Sequence, residues 1–189
     1  AWCGVVGFKP TYGLVPADGC FPLAPSYGHV DPIAADVGSC VELLQALAPC
    51  LERAPALALS DLRVGVAWLE HADALVRARV EGAAARFPHR RSVDFPLHDP
   101  REYRLFMREA ADVHRGLFPE RADEYGENVR GKLERCLHVT DVEVATARSA
   151  RAAYRERCEA AIDGLDLLVT PTIGFVAPPA TADELAIRE

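Results

Sequence analysis

The sequence lacks an excess of basic residues and contains few aromatic ones. Its 189 residues include 21 lysines and arginines against 28 aspartates and glutamates, a formal net charge of −7, and 7% are aromatic. Proteins that bind nucleic acid directly usually present a basic patch, often with aromatic side chains between the charges. We therefore expect no nucleic acid among the ligands of this chain.

Long apolar runs are missing as well. No stretch approaches the roughly 20 apolar residues that a membrane-spanning helix requires. The first residues contain neither a basic region nor the apolar core of a secretory signal, and they do not include an initiator methionine. We expect no membrane span, and we expect that the chain begins inside a fold.

The cysteines and histidines lack the spacings of a metal site. The sequence has no Cys-x-x-Cys and no two histidines four residues apart. We interpret the scattered cysteines as reduced, structural thiols of a cytoplasmic protein, and we expect no metal. The cysteines are Cys3, Cys20, Cys40, Cys50, Cys136 and Cys158.

The chain does contain enough apolar sequence for a core. Hydrophobic residues make up 50% and charged residues 26%, as in one globular domain or a large piece of one. Short β-rich runs alternate with helical periodicities, and this order predicts an α/β fold with a mixed β-sheet core flanked by helices. The first predicted elements are a buried strand over 4–9, a helix over 36–48, a strand over 62–68, a helix whose apolar stripe ends at Phe87, and a strand near 93–95.

The second half of the chain is predicted to be mainly helical. Apolar residues at helical spacing indicate an amphipathic helix over 100–118. We interpret His114 on its apolar face as a packed core histidine rather than a ligand. A Thr-x-x-Glu capping box at Thr140 predicts the start of a long helix that ends near Gly164. A buried strand is predicted over 165–170.

Three separated blocks of the sequence share the pattern of one family. The first is Ala-Trp-Cys-Gly-Val-Val-Gly-Phe-Lys-Pro-Thr-Tyr-Gly over 1–13, which continues with Gly-Cys-Phe-Pro-Leu-Ala-Pro-Ser over 19–26. The others are Asp-Leu-Arg-Val-Gly-Val over 61–66 and Asp-Leu-Leu-Val-Thr-Pro-Thr over 166–172. In order and spacing these blocks resemble the amidase signature family of serine hydrolases, and the resemblance covers most of the chain.

The resemblance implies an enzyme that cleaves amide bonds with a serine nucleophile, a second serine with a cis peptide bond, and a lysine base. In the family these three residues precede the segment that 1–13 resembles, so we expect none of them in this chain. Lys9 occupies the family's Lys-Pro-Thr position instead. We therefore expect residues 1–189 to be the C-terminal part of a single amidase domain, incomplete at its N-terminus and inactive alone. The resemblance further implies a small-molecule amide substrate for the complete protein and no cofactor, and it allows a homodimer.

One segment carries candidate substrate contacts. Residues 126–133, Gly-Glu-Asn-Val-Arg-Gly-Lys-Leu, resemble a helix start at which some family members place a basic substrate-contacting residue. Arg130 and Lys132 are the candidates, and the alternative is a solvated basic patch on an exposed helix. The chain also departs from the family pattern at Ala35, where the usual arginine could make bidentate contacts that alanine cannot.

Two hypotheses of different class remain open. The chain is a piece of an amidase whose nucleophile lies upstream in the complete protein, or it is a degenerate, non-catalytic relative that serves as an interaction or scaffold module. The first hypothesis predicts an exposed sheet edge, exposed apolar helix faces and a marginal, aggregation-prone chain. The second predicts a stable fold that binds a partner.

Overall fold

The computed structural model describes residues 2–52 and 55–179, in which helices alternate with short strands. The predicted α/β class is confirmed. Within the described residues, no helix is both long and apolar enough to span a bilayer. In chain order the elements are β1 (Val6–Gly7), β2 (Ile33–Ala34), α1 (Val37–Leu47), β3 (Arg63–Val66), α2 (Ala74–Ala84), β4 (His89–Ser92), α3 (Tyr103–His114), α4 (Phe118–Arg121), α5 (Glu127–Leu137), α6 (Asp141–Ile162) and β5 (Leu167–Val169).

The strand β3 lies at the centre of a three-stranded parallel sheet. It pairs with β4 on one side and with β5 on the other. Val64 is completely buried, at 0% exposure. A Cβ at Gly65 would come within 2.6 Å of the Leu165 side chain, so a larger residue here would force the neighbouring side chains to shift. Burial on both faces explains the nearly continuous apolar run of this strand.

The helices between β4 and β5 form the main hydrophobic core. α3 packs against both α5 and α6, and the core-facing residues of α3 recur at helical spacing. The predicted helix over 100–118 is in fact divided, because a 3₁₀ turn (Pro100–Glu102) precedes α3 and a break at 115–117 separates it from α4. The buried residues of this core are Leu105, Met107, Ala110, Ala111, Cys136, Val139, Val144 and Ala147.

Local capping fixes the ends of several helices. Asp36 caps α1 and Asp73 caps α2, each by accepting a backbone N–H three residues further on. The capping box at Thr140 is present and begins α6. Gly164 follows the end of α6 with a φ of 70°, a left-handed conformation that glycine adopts at little cost. The predicted start and end of the long helix are therefore confirmed.

The N-terminal segment forms a separate two-stranded antiparallel sheet from β1 and β2. The prediction of a buried strand over 4–9 is wrong, because only two of its residues are in β1 and Phe8 is 46% exposed. In the described part of the chain each of these strands has one neighbour. Their apolar side chains consequently have little to pack against, and Ile33 is 63% exposed.

The edge strand β4 lies earlier than the sequence pattern predicts. It covers His89–Ser92, whose side chains are all exposed, rather than 93–95. Backbone pairing with β3 makes this segment a strand. The apolar residues on which the prediction was based come directly after it. Val93 donates its N–H to the carbonyl oxygen of Val66 at 3.0 Å, and Phe95 packs against Trp68. A pattern of apolar residues detects buried side chains and misses a charged edge strand. The strands predicted over 62–68 and 165–170 are confirmed as β3 and β5. The predicted burial of the second strand is wrong, because Leu167 is 43% exposed and the other two residues of β5 are only partly buried.

Candidate functional site

The candidate substrate contacts Arg130 and Lys132 both lie on α5, where both are half-buried. Residues two positions apart on a helix point to different sides, so the structure does not bring the two cations together. The guanidinium of Arg130 lies 3.4 Å from the carboxylate of Asp123. In a pair this exposed, the two charges contribute little to stability.

Lys9 contacts a histidine rather than a serine. Its Nζ lies 3.3 Å from Nε2 of His29, and Nδ1 of the same ring lies 2.8 Å from the carbonyl oxygen of Tyr27. Because Nδ1 faces an acceptor, it carries the ring proton, and Nε2 accepts from the Lys9 ammonium. The ring of Tyr12 packs edge-on against His29 at 5.3 Å. Lys9 thus anchors the loop that precedes β2.

Ser26 is held between a carboxylate and a guanidinium. Its Oγ donates to Glu109 Oε1 at 2.5 Å and accepts from Arg151 at 2.8 Å, and its backbone N–H donates to Glu109 Oε2 at 2.8 Å. The Arg151 guanidinium also lies 4.4 Å from the centre of the Tyr27 ring. Burial raises the pKa of the Tyr27 hydroxyl. These contacts fasten the loop before β2 to α3 and α6, and they engage the lone pairs that a nucleophilic serine would need.

A cleft of about 460 Å³ brings the N-terminal segment together with the segment that follows β5. The indole Nε1 of Trp2 donates to the carbonyl oxygen of Phe175 at 3.3 Å, and the two ring centroids are 5.4 Å apart. The first half of α2 completes the walls. We call this cavity the Trp2 cleft, and its lining residues are Trp2, Leu75, Val76, Arg79, Val80, Thr172, Ile173, Phe175, Val176 and Ala177.

The Trp2 cleft is built from the segments that follow the carboxyl ends of β3 and β5. The backbone N–H of Asp73, which precedes α2, donates to the carbonyl oxygen of Gly174 at 2.7 Å. A Cβ at Gly174 would collide with the carbonyl of His71. Because β4 and β5 lie on opposite sides of β3, the strand order reverses at this point. In open parallel sheets, ligands bind outside the carboxyl ends of the strands at such a switch point.

The lining of the Trp2 cleft suits the binding of an apolar group. Among the described residues, Arg79 is the one charged side chain in the lining, and Thr172 adds a hydroxyl. A pocket of this kind buries an apolar body and orients it through a few polar groups. No serine, cysteine, histidine or lysine of the described chain lines the cleft, so these residues can bind a substrate but do not supply a nucleophile. Neither Arg130 nor Lys132 lines it.

A larger cavity of about 670 Å³ lies on another flank of α2, beside the edge strand β4. Charges of both signs line it, among them Glu81, Arg90, Arg91 and Asp94. A charged edge strand is expected in its own right, since it prevents pairing with other chains. The cavity includes no residue of the blocks over 1–26 and 166–172. We therefore place the candidate site in the smaller Trp2 cleft. No group of histidine, cysteine or acidic residues able to hold a metal occurs among residues 2–52 and 55–179.

Comparisons with known proteins agree with the motifs. Residues 1–56 match the model of the family described as Amidase. Over 198 residues the chain is 29% identical to AmiD of Mycobacterium bovis, which carries the name of an amidase, and this alignment covers 93% of the chain and 42% of the relative. A crystal structure described as an amidase has a TM-score of 0.82 and 30% identity, and the match covers 96% of this chain and 43% of that one. The chain is therefore similar to amidases over most of its length.

Other amidase relatives extend the comparison. A glutamyl-tRNA(Gln) amidotransferase subunit from Synechococcus sp. (strain CC9311) is 28% identical over 240 residues, with 99% of this chain and 49% of the relative covered. A solved structure described as a vestigial protein complex, at 22% identity and a TM-score of 0.78, shows the shared fold. The chain thus spans less than half the length of these relatives.

No local sequence pattern places Trp2, Phe175 and Arg79 in one group. Trp2 belongs to the first block of the family pattern and Phe175 follows the last block, so their proximity is consistent with the resemblance. Nothing in the local sequence pattern around Arg79 distinguishes it from Arg77, the other exposed arginine of α2.

Proposed function

We propose that this chain is part of an amide hydrolase whose serine nucleophile, cis-peptide serine and lysine base lie outside these 189 residues. Two observations support the proposal: the similarity to amidases, and the chain's coverage of only 42% of its relative AmiD. Residues 1–189 would be the C-terminal part of a single amidase domain. All six cysteines are free thiols, which supports a reducing, cytoplasmic location.

The Trp2 cleft is the observation that carries the proposal. The family resemblance puts the nucleophile a few residues before position 2, and a chain advances at most about 3.5 Å per residue. The nucleophile would therefore lie close to this apolar pocket. Amide hydrolysis requires attack by the serine, stabilisation of the tetrahedral oxyanion by backbone N–H groups, and hydrolysis of the acyl-enzyme. The Trp2 cleft would hold the apolar part of the substrate and exclude water around it.

The exposed apolar surface at α1, β1 and β2 is where the rest of the protein would pack. These three elements contact one another, and they expose Phe8, Ile33 and Val37, the last at 66%. Soluble monomers rarely leave contiguous apolar surface of this kind in water. A catalytic part that covered this face would also bring its residues near the first block of the chain.

Arg130 and Lys132 keep their proposed role as substrate-contacting residues of the complete protein. Because they point to different sides of α5, only one of them can face a given pocket. Asp123 pairs with Arg130, which leaves Lys132 as the better candidate for a contact across the interface.

The experiment compares the protein encoded by the complete coding sequence with the 189-residue chain. Both are treated with a fluorophosphonate, which labels activated serines, and both are assayed for ammonia release from a panel of primary amides. We expect label and turnover in the complete protein alone, on a serine outside this chain, and we expect both to disappear when that serine is changed to alanine. A folded, partner-binding protein that is never labelled would favour the module hypothesis. Label on Ser26 would contradict the anchoring role given to it here.

A further inference from the structure

We infer that the Trp2 cleft selects amides whose apolar body carries a carboxylate or a similar anion, and that Arg79 recognises this anion. The amide part of the inference rests on the proposed function. The preference for an anionic apolar ligand does not, because it follows from the residues that line the cleft.

Arg79 faces the cleft by its position on α2. It lies three residues after Val76 and one before Val80, and all three residues line the same cavity. Residues three and four apart share one side of a helix. The guanidinium therefore lies on a wall that is otherwise built from apolar side chains, and a ligand that fills the cleft meets one cationic group.

Within the described residues, the guanidinium of Arg79 has no structural partner. Among the described residues it forms no ion pair and no side-chain hydrogen bond. Arg77, two positions earlier, differs in this respect, because it donates to the carbonyl oxygens of Leu69 and Ala72 at 2.9 and 3.2 Å. Arg77 thus stabilises the loop after β3, whereas the charge of Arg79 is available to a ligand.

The chemistry of the ligand follows from this arrangement. A guanidinium pairs with a carboxylate through two parallel hydrogen bonds, a geometry that an ammonium or a neutral amide cannot match. The cavity of about 460 Å³ is within the size range of small-molecule sites. Because the side chain of Arg79 is exposed, we expect the pair to strengthen binding by about fivefold, the upper range for solvent-accessible pairs.

The test measures binding rather than turnover. The 189-residue chain, at low micromolar concentration, is titrated with three amides, and the quenching of Trp2 fluorescence reports binding. The amides share one ring: anionic 4-carboxyphenylacetamide, neutral 4-methylphenylacetamide and cationic 4-(aminomethyl)phenylacetamide. The variants are Arg79→Gln and, as a matched loss of charge outside the cleft, Arg86→Gln. Trp2→Phe identifies the signal, since the second tryptophan does not line the cleft.

In the original chain and in Arg86→Gln, we expect the carboxylate compound to bind about fivefold more tightly than the neutral compound. In Arg79→Gln, we expect the two compounds to bind with equal affinity. Equal affinities in the original chain would overturn the role of Arg79. If none of the three compounds binds to the original chain, and circular dichroism shows that this chain has its helical content, both the inference and the assignment of the cleft are overturned. If the preference is observed but the complete protein hydrolyses no amide, the proposed function fails while the anion selectivity of the cleft stands.

Discussion

Trp2 and Phe175 meet although 173 positions separate them in the chain. Their rings lie 5.4 Å apart, and the indole N–H of Trp2 donates to the carbonyl oxygen of Phe175. This contact joins the first block of the family pattern to the segment that follows the last strand of the parallel sheet. It creates an apolar cleft where parallel α/β sheets commonly bind ligands.

Replacing Gly174 should loosen the cleft. In Gly174→Ala, the new Cβ would collide with the carbonyl of His71, and backbone atoms cannot move aside as a flexible side chain can. We expect a loss of about 1–3 kcal/mol in the free energy of unfolding, the usual cost of overpacking, measured by urea denaturation. Gly116→Ala is the matched control, since nothing lies within 4 Å of its Cβ position. An equal effect of the two substitutions would contradict the close contact.

Removing Arg151 should release the loop that contains Ser26. In Arg151→Gln, the carboxylate of Glu109 loses its nearby cation, and the Ser26 hydroxyl and the Tyr27 ring lose a partner. We expect a loss of about 1–3 kcal/mol in the free energy of unfolding. Arg148→Gln, an exposed change on the same helix, should change it by less than about 0.5 kcal/mol. Similar values for both variants would show that the contacts of Arg151 do not stabilise the fold.

The pair formed by Asp99 and Arg101 should make stability depend on pH. Hydrogen bonds from Arg101 lower the pKa of Asp99 from 3.8 to about 2. Because the carboxylate is favoured in the folded state, this contribution is complete above pH 3.8 and is lost as the pH falls toward about 2. In Asp99→Asn, the urea midpoint should therefore fall less steeply over this interval than in the original chain. Asp18→Asn, at an exposed loop position, should leave the slope unchanged, and identical slopes for all three proteins would argue against the pair.

The exposed surface at α1, β1 and β2 should cause self-association of the isolated chain. We expect light scattering to show concentration-dependent association at neutral pH, and the double substitution Ile33→Ser with Val37→Ser to reduce it. Val142→Ser is the control, because it removes an exposed apolar side chain, 77% accessible, from α6. This substitution should not reduce the association. A chain that remains monomeric at every concentration would contradict this expectation.

The sequence predicted best those features that depend on local interactions or on buried residues. The capping box at Thr140, the glycine at position 164 and the strand β3 follow from spacing, dihedral preference and alternation along the strand. Prediction from the sequence was wrong where contacts between distant segments determine the position of a strand or the burial of a side chain. The charged strand β4 exists because its backbone pairs with β3. Phe8, directly after β1, and Ile33 in β2 are exposed because no second layer covers them within the described residues.

The candidate site was less predictable for the same reason. Trp2 and Phe175 are contributed by distant segments, and Arg79 carries no motif, so their meeting depends on the order of the strands in the sheet. The resemblance to amidases is confirmed by the comparisons. It could not indicate which residues of this chain line a cleft.

The central claim is that this chain belongs to an amide hydrolase whose catalytic residues lie outside it. The most direct test is to read the coding sequence immediately upstream of Ala1. We predict a Gly-Gly-Ser-Ile-Arg-like run within a few residues, preceded farther back by a lysine and a serine-rich segment. A stop codon or unrelated sequence at that position would contradict the claim, and the chain would then be a non-catalytic relative.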